Sequence, residues 1–403
     1  MSQTFDLVVV GAGLAGVTAA LAAAEAGAKV ALCDAGQGAT THWSGMGHLF
    51  GPLAAPPTTD GFTTTRSGRR FGSAERMAAL LQSSPTHPYA LLGWGADEVQ
   101  RRAERALRLL QLEATIAARA VTLPSCEGVL RAADLVATGT MTTGLGAPTF
   151  AAPSGLRSCS APWLAALWRD AGLGEADALT FATQRRYESL VAAAADLSRL
   201  SAAEWTTLLA GAPGDGPLVL PPLLGTTFAA AAALRAELSQ ALSRPVLEMV
   251  CGGEPVWGLR LRNLLDNACA AAPIARFGTV AAVPQPRDGA WSLRSGADDL
   301  SSPRLILATG AAAWRGSAAI SPRWVRAAAG AVDGSHAAPW LPQPFAMRGL
   351  QTDRRLAVLG EVGLYACGGA LAGHDSARDQ TAFGLATATG IEAAVRALEA
   401  TPA

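Results

Sequence analysis

Lysine is nearly absent from this chain: Lys29 is the only one, and the other basic residues are arginines. The 32 basic residues are balanced by 32 acidic ones, with no long basic block, which excludes a dedicated nucleic-acid or anionic-membrane binder. Six cysteines (Cys33, Cys126, Cys159, Cys251, Cys269, Cys367) are scattered without a C-x-x-C pair. That spacing excludes a standard zinc ribbon or a ferredoxin-type cluster within the chain, so no metal site is expected. Long uninterrupted apolar runs are missing too. The uncharged stretches Leu135–Leu156 and Pro217–Leu234 are broken by glycines and prolines, among them Gly144, Pro148, Pro221 and Gly225, so no membrane span is expected. Asp6 and Gly11 interrupt the first apolar segment, so no secretory signal is expected and a reduced, cytoplasmic protein follows. No internal repeat is evident. Charged residues make up only 16% of the 403 positions and hydrophobic ones 50%, the balance of a globular protein.

What is present is concentrated first in residues 5–34. An apolar run, Leu7–Val10, meets Gly11-Ala12-Gly13-Leu14-Ala15-Gly16 and then an alanine-rich helix ending at Gly27. A second strand, Lys29–Cys33, carries Asp34 at its tip. Each piece has a role in a dinucleotide-binding βαβ unit. Gly11 permits the tight turn, Gly13 lets a pyrophosphate approach the backbone, and Gly16 lets helix and strand pack closely. The positive helix end faces the diphosphate, and Asp34 accepts hydrogen bonds from a ribose diol. These features favour FAD as the cofactor.

Later segments resemble parts of the same domain. Leu259–Ala272 reads as a helix, and 274–283 contains a short strand around Val280. Arg304–Gly310 reads as a buried strand ending in Ala308-Thr309-Gly310. Gly363–Gly369 is another strand ending in glycines (Gly368, Gly369), and Phe383-Gly384-Leu385 begins a helix of Ala386–Leu398. In between, Ala74–Gln82 and Ala96–Ala114 read as helices, the second amphipathic. The order of these signals resembles the FAD-binding fold of the glutathione-reductase type. The expected class is α/β: a Rossmann-like FAD-binding domain with a discontinuous sheet and an inserted α+β cap. Segments 1–50, 258–312 and 348–403 would form the flavin domain, and 51–257 with 313–347 the cap.

Further segments narrow the resemblance. Pro85-Thr86-His87-Pro88-Tyr89 with Leu91-Leu92-Gly93, Val121–Pro124 with Gly128–Arg131, Trp257–Leu261 with Asn263–Leu265, and His42-Trp43-Ser44-Gly45 are similar to segments of the anaerobic glycerol-3-phosphate dehydrogenase B-subunit family. The ending, from Pro344 to Leu398, is similar as well. The resemblance implies a flavin-dependent subunit of a respiratory complex that oxidises glycerol 3-phosphate to dihydroxyacetone phosphate. Electrons would pass to a quinone through an iron–sulfur partner. A catalytic flavoprotein subunit would belong to the same complex, and the chain would be held peripherally on the cytoplasmic face of the membrane. The family's attributed cofactor is FMN, whereas Asp34 favours FAD. The family's glycine-rich, cysteine-bearing run near its C-terminus is replaced here by Asp379–Gly384. Two other readings stay open: a non-catalytic assembly or electron-transfer subunit, and a stand-alone FAD-dependent oxidoreductase on another substrate.

The candidate residues follow. His42, in the loop after the second strand, and His374, after the Gly368–Gly373 turn, are candidate bases for a substrate hydroxyl. Cofactor contacts are expected from Gly11, Ala12, Gly13, Leu14, Ala15, Gly16, Asp34, Ser44, Gly45, Val280, Thr309, Gly310, Gly368, Gly369 and Gly384. Arg131 and Arg260 are the arginines expected to meet a substrate phosphate or a partner, since guanidinium forks pair bidentately with phosphate. His87, between two prolines, is expected to fix a turn, and Trp94, Trp163, Trp168 and Trp205 to be core or cap aromatics.

Overall fold

The computed structural model describes residues 2–34, 38–51, 72–144, 146–183, 185–252, 255–310, 325–327 and 348–400. Residues 52–71, in the segment expected to begin the cap, and most of the 313–347 connection lie outside them. The chain divides into two units.

The first unit comprises Met1–Ala39, His48–Leu112 and Leu265–Ala403. Its centre is a five-stranded sheet in the order Ile274–Phe277, Val30–Cys33, Leu7–Val10, Leu305–Leu307, Leu364–Ala366. Every neighbouring pair is parallel. Strands buried on both faces need near-continuous apolar sequence, and the four residues of Leu7–Val10 and of Val30–Cys33 are all buried. Leu14–Glu25 makes the crossover between these two strands, and Gly27 ends it at φ +84°. A second sheet pairs Ser2–Thr4 with Asp298–Ser302, followed by Ala290–Ser295 and Gln285–Arg287. Ala290–Ser295 and Asp298–Ser302 thus form an antiparallel hairpin about Ser295-Gly296.

The Ala382–Glu399 helix packs on Leu14–Glu25 through small residues. A Cβ on Gly390 would stand 2.6 Å from the Ala15 carbonyl oxygen, and one on Gly368 would stand 2.6 Å from Ala15 Cβ. Helices Ser73–Ser83, Pro88–Leu92 and Ala96–Leu110 group with this unit and not with the cap. The reason lies on their faces. Arg102 donates from Nε and Nη2 to Glu392 Oε2 at 3.0 and 2.6 Å, and Arg105 Nη2 reaches Glu25 Oε2 at 2.6 Å. The Ala96–Leu110 helix also stops earlier than its pattern predicts. Gln111 takes the left-handed conformation (φ 53°), and Ala114 begins a strand.

The second unit comprises Thr40–Gly47 and Glu113–Leu264. Met46–Gly47 joins it by pairing antiparallel with Leu135–Val136, so the flavin-domain segment expected to run to residue 50 is split. The long strand Ala114–Pro124 pairs with Leu130–Ala137. A separate four-stranded sheet has the order Val246–Glu248, Leu218–Leu220, Thr149–Pro153, Asp177–Phe181, all parallel. Its core contains Phe150, Trp168, Trp205 and Trp257. Trp205 Nε1 donates to the Leu197 carbonyl at 3.2 Å and Trp257 Nε1 to that of Met249 at 3.0 Å. Trp163, expected as a core or cap aromatic, lies in this unit at 60% exposure. Among the described residues, no helix is long and apolar enough to cross a membrane.

Candidate functional site

Most of the expected cofactor residues lie at or beside the carboxyl ends of the first unit's parallel strands, where α/β sheets place their ligands. Gly11 leaves Leu7–Val10 at φ +116°, and a Cβ there would lie 2.4 Å from the Ala308 carbonyl oxygen. Gly16 is tighter still: its Cβ would fall 1.7 Å from the Gly11 oxygen. The two glycines therefore press the turn, its helix and the neighbouring Ala308-Thr309-Gly310 turn together. Gly13 is the N-cap of Leu14–Glu25 in extended conformation and puts no side chain over the helix end. Ala12, Leu14 and Ala15 are buried beside it.

The next strand tip carries Asp34, whose backbone N–H donates to the Phe277 carbonyl at 3.1 Å. Across the sheet, Thr309 Oγ1 is shut off from solvent and has no hydrogen-bond partner among the described residues. Gly310 has φ +72° and open space around it. Gly368 (φ +61°) lies over Ala15 and donates from its N–H to Thr389 Oγ1 at 2.7 Å, with Gly369 following in the same short turn. An open helix end, a side-chain-free turn, a carboxylate at the second strand tip and an orphaned hydroxyl fit a dinucleotide. The thiols at these strand ends are not reactive. Burial pushes both Cys33 and Cys367 up to about 12, so they stay protonated.

His374 is buried in this unit, at 4% exposure. Its Nδ1 lies 3.3 Å from the Leu371 carbonyl, which can only accept, so that nitrogen carries the proton and Nε2 keeps its lone pair. Burial lowers its pKa, with Asp379 opposing, and so holds the neutral form. Its ring meets that of His87 edge-on at 6.2 Å. His87 Nδ1 accepts from the Tyr89 N–H at 3.1 Å, so Nε2 carries the proton and donates to Thr381 Oγ1 at 3.0 Å. His87 thus caps the Pro88–Leu92 turn, as its flanking prolines suggest. Asp379 completes the cluster, accepting from Ser84 Oγ at 3.1 Å and from the Asp375 N–H at 2.8 Å. The sequence reading missed this grouping of His87, Asp379 and Thr381. Its one signal was the polar run Asp379-Gln380-Thr381 ahead of an apolar helix.

One expectation needs correction, and the remaining expected residues fall as follows. Arg260 is not available to a phosphate: its Nη1 and Nη2 donate to Glu248 at 2.7 and 2.9 Å, its Nε donates to the Gly225 carbonyl at 2.9 Å, and it is fully buried. Gly384 is closely packed at the start of the Ala382–Glu399 helix. Its N–H donates to the His48 carbonyl at 3.1 Å, and a Cβ would stand 2.7 Å from the Tyr89 hydroxyl. Ser44 and Gly45 belong to the second unit, where Gly45 (φ +90°) makes room for the Trp257 ring, 2.7 Å from its would-be Cβ. Val280 lies beyond the strand it was expected to centre, making a single bridge to Ser295. His42 is exposed at the end of the Ala39–His42 turn, and the second unit begins at Thr40, so the two candidate bases fall in different units. Arg131 lies against Gly252, with its Nε buried and unpartnered among the described residues.

These features define an FAD-binding protein of α/β architecture. Residues 6–147 match the FAD binding domain family, and FAD is the cofactor. Among curated proteins, the chain is 39% identical over 91 residues to the B subunit of anaerobic glycerol-3-phosphate dehydrogenase from Mannheimia succiniciproducens. That stretch is 23% of this chain and 19% of the relative. The corresponding protein of Haemophilus influenzae (strain PittGG) is 33% identical over 107 residues, 27% of this chain and 23% of the relative. The family resemblance read from the sequence is thus borne out, over about a quarter of the chain. Among solved structures, Mycobacterium smegmatis Sdh1 in complex with UQ1 aligns at TM-score 0.45 and 11% identity, covering 100% of this chain and 70% of that one.

Proposed function

We propose that this chain is a flavin-dependent subunit of a dehydrogenase complex that oxidises glycerol 3-phosphate, or a closely related phosphorylated alcohol, to the ketone. The observation that carries this reading is the 39% identity to a glycerol-3-phosphate dehydrogenase subunit over 91 residues, and the glycine-rich strand ends are consistent with it. FAD, when bound, supplies the two-electron acceptor for the hydride leaving the alcohol carbon. Gly11, Gly13 and Gly16 admit the diphosphate, Asp34 holds the ribose, and Thr309 Oγ1 offers a hydrogen bond beside the turn. His374 accepts the substrate hydroxyl proton at Nε2, the nitrogen left without a proton by the Leu371 contact. Electrons then leave to a quinone through an iron–sulfur partner subunit, with the chain on the cytoplasmic face.

The test is anaerobic addition of glycerol 3-phosphate to the purified, FAD-loaded chain. Bleaching of the flavin absorbance is expected. His374→Asn should slow it about 100-fold or more, the usual scale for loss of a general base. In the native chain, the acid side of the rate profile should lie below the ordinary histidine pKa of 6.5, because burial disfavours the imidazolium. No bleaching would point to the non-catalytic reading. Efficient quinone reduction by the chain alone would point to a stand-alone oxidoreductase.

A further inference from the structure

Two segments of the first unit, far apart in sequence, meet around His374. Gly373 (φ +88°) lets its turn press onto the backbone at Thr86: a Cβ there would fall 2.0 Å from the Thr86 carbonyl oxygen. In that neighbouring segment the His87 N–H donates to the Ser84 carbonyl at 3.0 Å, so Ser84 and His87 close one turn. Asp379 ties the two segments together. Its Oδ1 accepts from Ser84 Oγ at 3.1 Å, and its Oδ2 folds back onto the N–H of Asp375, the residue after His374, at 2.8 Å. The Asp379 N–H in turn donates to the Asp375 carbonyl at 2.7 Å. Asp379 is 2% exposed and His374 4%, so water screens little of the field between them.

A base at His374 needs a charge of this kind beside it. Taking a proton at Nε2 turns the ring into an imidazolium, and a buried cation without a counter-charge is costly. Nδ1 cannot relieve it, because that nitrogen keeps its proton on the Leu371 carbonyl before and after the transfer. His87, edge-on at 6.2 Å, cannot share the proton either. Its Nδ1 is taken by the Tyr89 N–H and its Nε2 donates to Thr381 Oγ1. Two carboxylates act on the ring, Asp379 and Asp375, with Arg378 next to them. Burial pushes His374 down, and Asp379 is the first influence opposing it, ahead of the Leu371 carbonyl and Asp375. Asp375 is only half-buried, and its Oδ1 accepts from the Arg378 N–H at 3.3 Å. Burial raises Asp379 as well, but the Asp375 N–H and the Ser84 hydroxyl both pull it back toward the anion.

We infer that Asp379 is the positioning residue of the base: held by Ser84 and the Asp375 N–H, its carboxylate is the counter-ion of the imidazolium formed when His374 takes the substrate proton. In that step the substrate O–H bond breaks and an Nε2–H bond forms. The oxygen's electron pair closes the ketone as the hydride leaves carbon for the flavin. The inference rests on the proposed function for the source of that proton, whereas the pairing is measured without substrate. The test is a nitrogen-15 NMR titration of the histidine rings in the FAD-loaded chain from pH 8 to 4, with His374→Asn identifying the signal among the five histidines. In Asp379→Asn the His374 titration should move down by about one pH unit, the effect of removing a nearby opposite charge. Asp375→Asn should move it less. Ser84→Ala, which keeps the carboxylate and removes one donor, should give a smaller shift in the same direction and stands in if Asp379→Asn does not fold. With glycerol 3-phosphate, the acid limb of the bleaching rate in Asp379→Asn should move down with the titration, and the plateau should fall by up to about ten-fold, the limit for a base one unit weaker. A purely structural Asp379 would lower the Tm and leave the titration in place. An unmoved His374 titration in Asp379→Asn and Ser84→Ala would overturn the inference, as would an equal shift in Asp375→Asn. Bleaching with an unmoved titration would sink the pairing and leave the proposed function standing. A shifted titration in a chain that never bleaches would uphold the pairing and remove the proposed function.

Discussion

Each guanidinium nitrogen of Arg260 donates inside the second unit, and both oxygens of Glu248 accept from it. Removing one partner from such a pair leaves a buried charge unmatched, which costs about 3–5 kcal/mol. Arg260→Ala should therefore lower stability by about that amount in urea denaturation. Replacing both residues by apolar ones should recover much of the loss. A variant of native stability with a raised substrate KM would instead restore Arg260 as a phosphate contact. His87 makes a different residue-scale prediction, in pH. Burial, with His374 beside it, lowers its pKa from 6.5 to about 3. The unfolded chain thus takes up a proton at His87 that the folded chain refuses. Stability is complete above pH 6.5 and falls as the pH drops from there toward 3, at about 1.4 kcal/mol per pH unit. His374 adds in the same direction, while Asp379, pushed up by burial, works oppositely above 3.8. His87→Asn keeps a capping side chain and removes the titration, so the slope of unfolding free energy between pH 7 and 5 should flatten. An unchanged slope would mean that His87 titrates normally.

At the scale of elements, the strand–turn–helix start was legible because each local preference agreed with the global fold. Leu7–Val10 is apolar throughout, the glycines fall where backbones meet, and Gly27 takes the positive φ that ends the helix. Two of these glycines should respond differently to the same substitution. Gly390→Ala pushes a methyl to 2.6 Å from the Ala15 carbonyl oxygen, so two helices must separate. Overpacking of this kind costs about 1–3 kcal/mol, visible as a lower Tm in calorimetry. Gly27→Ala meets nothing within 4 Å, so its cost comes only from φ +84°, about 1–2 kcal/mol. Only Gly390→Ala should also reduce FAD retention, because the strained contact falls on Ala15, in the helix proposed to face the diphosphate. The second unit's sheet was not legible. Its strands are three to five residues long and sit among glycines, prolines and alanine-rich helices, so no run is long enough to show a period. Likewise, nothing near Gly45 announces that Trp257, more than two hundred positions away, requires the space.

For the molecule as a whole, the decisive property is that the residues proposed to cradle FAD and the tryptophan-rich core belong to different units. Gly11, Gly16, Asp34, Thr309 and Gly368 all lie in the first, whereas Phe150, Trp168, Trp205 and Trp257 lie in the second. This division was only partly readable, because helices Ser73–Ser83 and Ala96–Leu110 are bound to the first unit by side chains far apart in sequence, such as Arg102 and Glu392. A ligand stabilises whatever must be folded to bind it, by about 2.7 kcal/mol at a hundredfold excess over Kd. FAD removal should therefore weaken the first unit selectively. Hydrogen exchange of the holo and FAD-stripped chain, followed by mass spectrometry, resolves this at the level of peptides. Protection should fall in Leu7–Val10, Leu14–Glu25 and Leu305–Leu307 on stripping. Peptides covering Thr149–Pro153 and Leu218–Leu220 should keep theirs, because they form a parallel sheet with its own apolar core. An equal loss in both sets would mean that the two units unfold as one, and that the cofactor supports the whole chain.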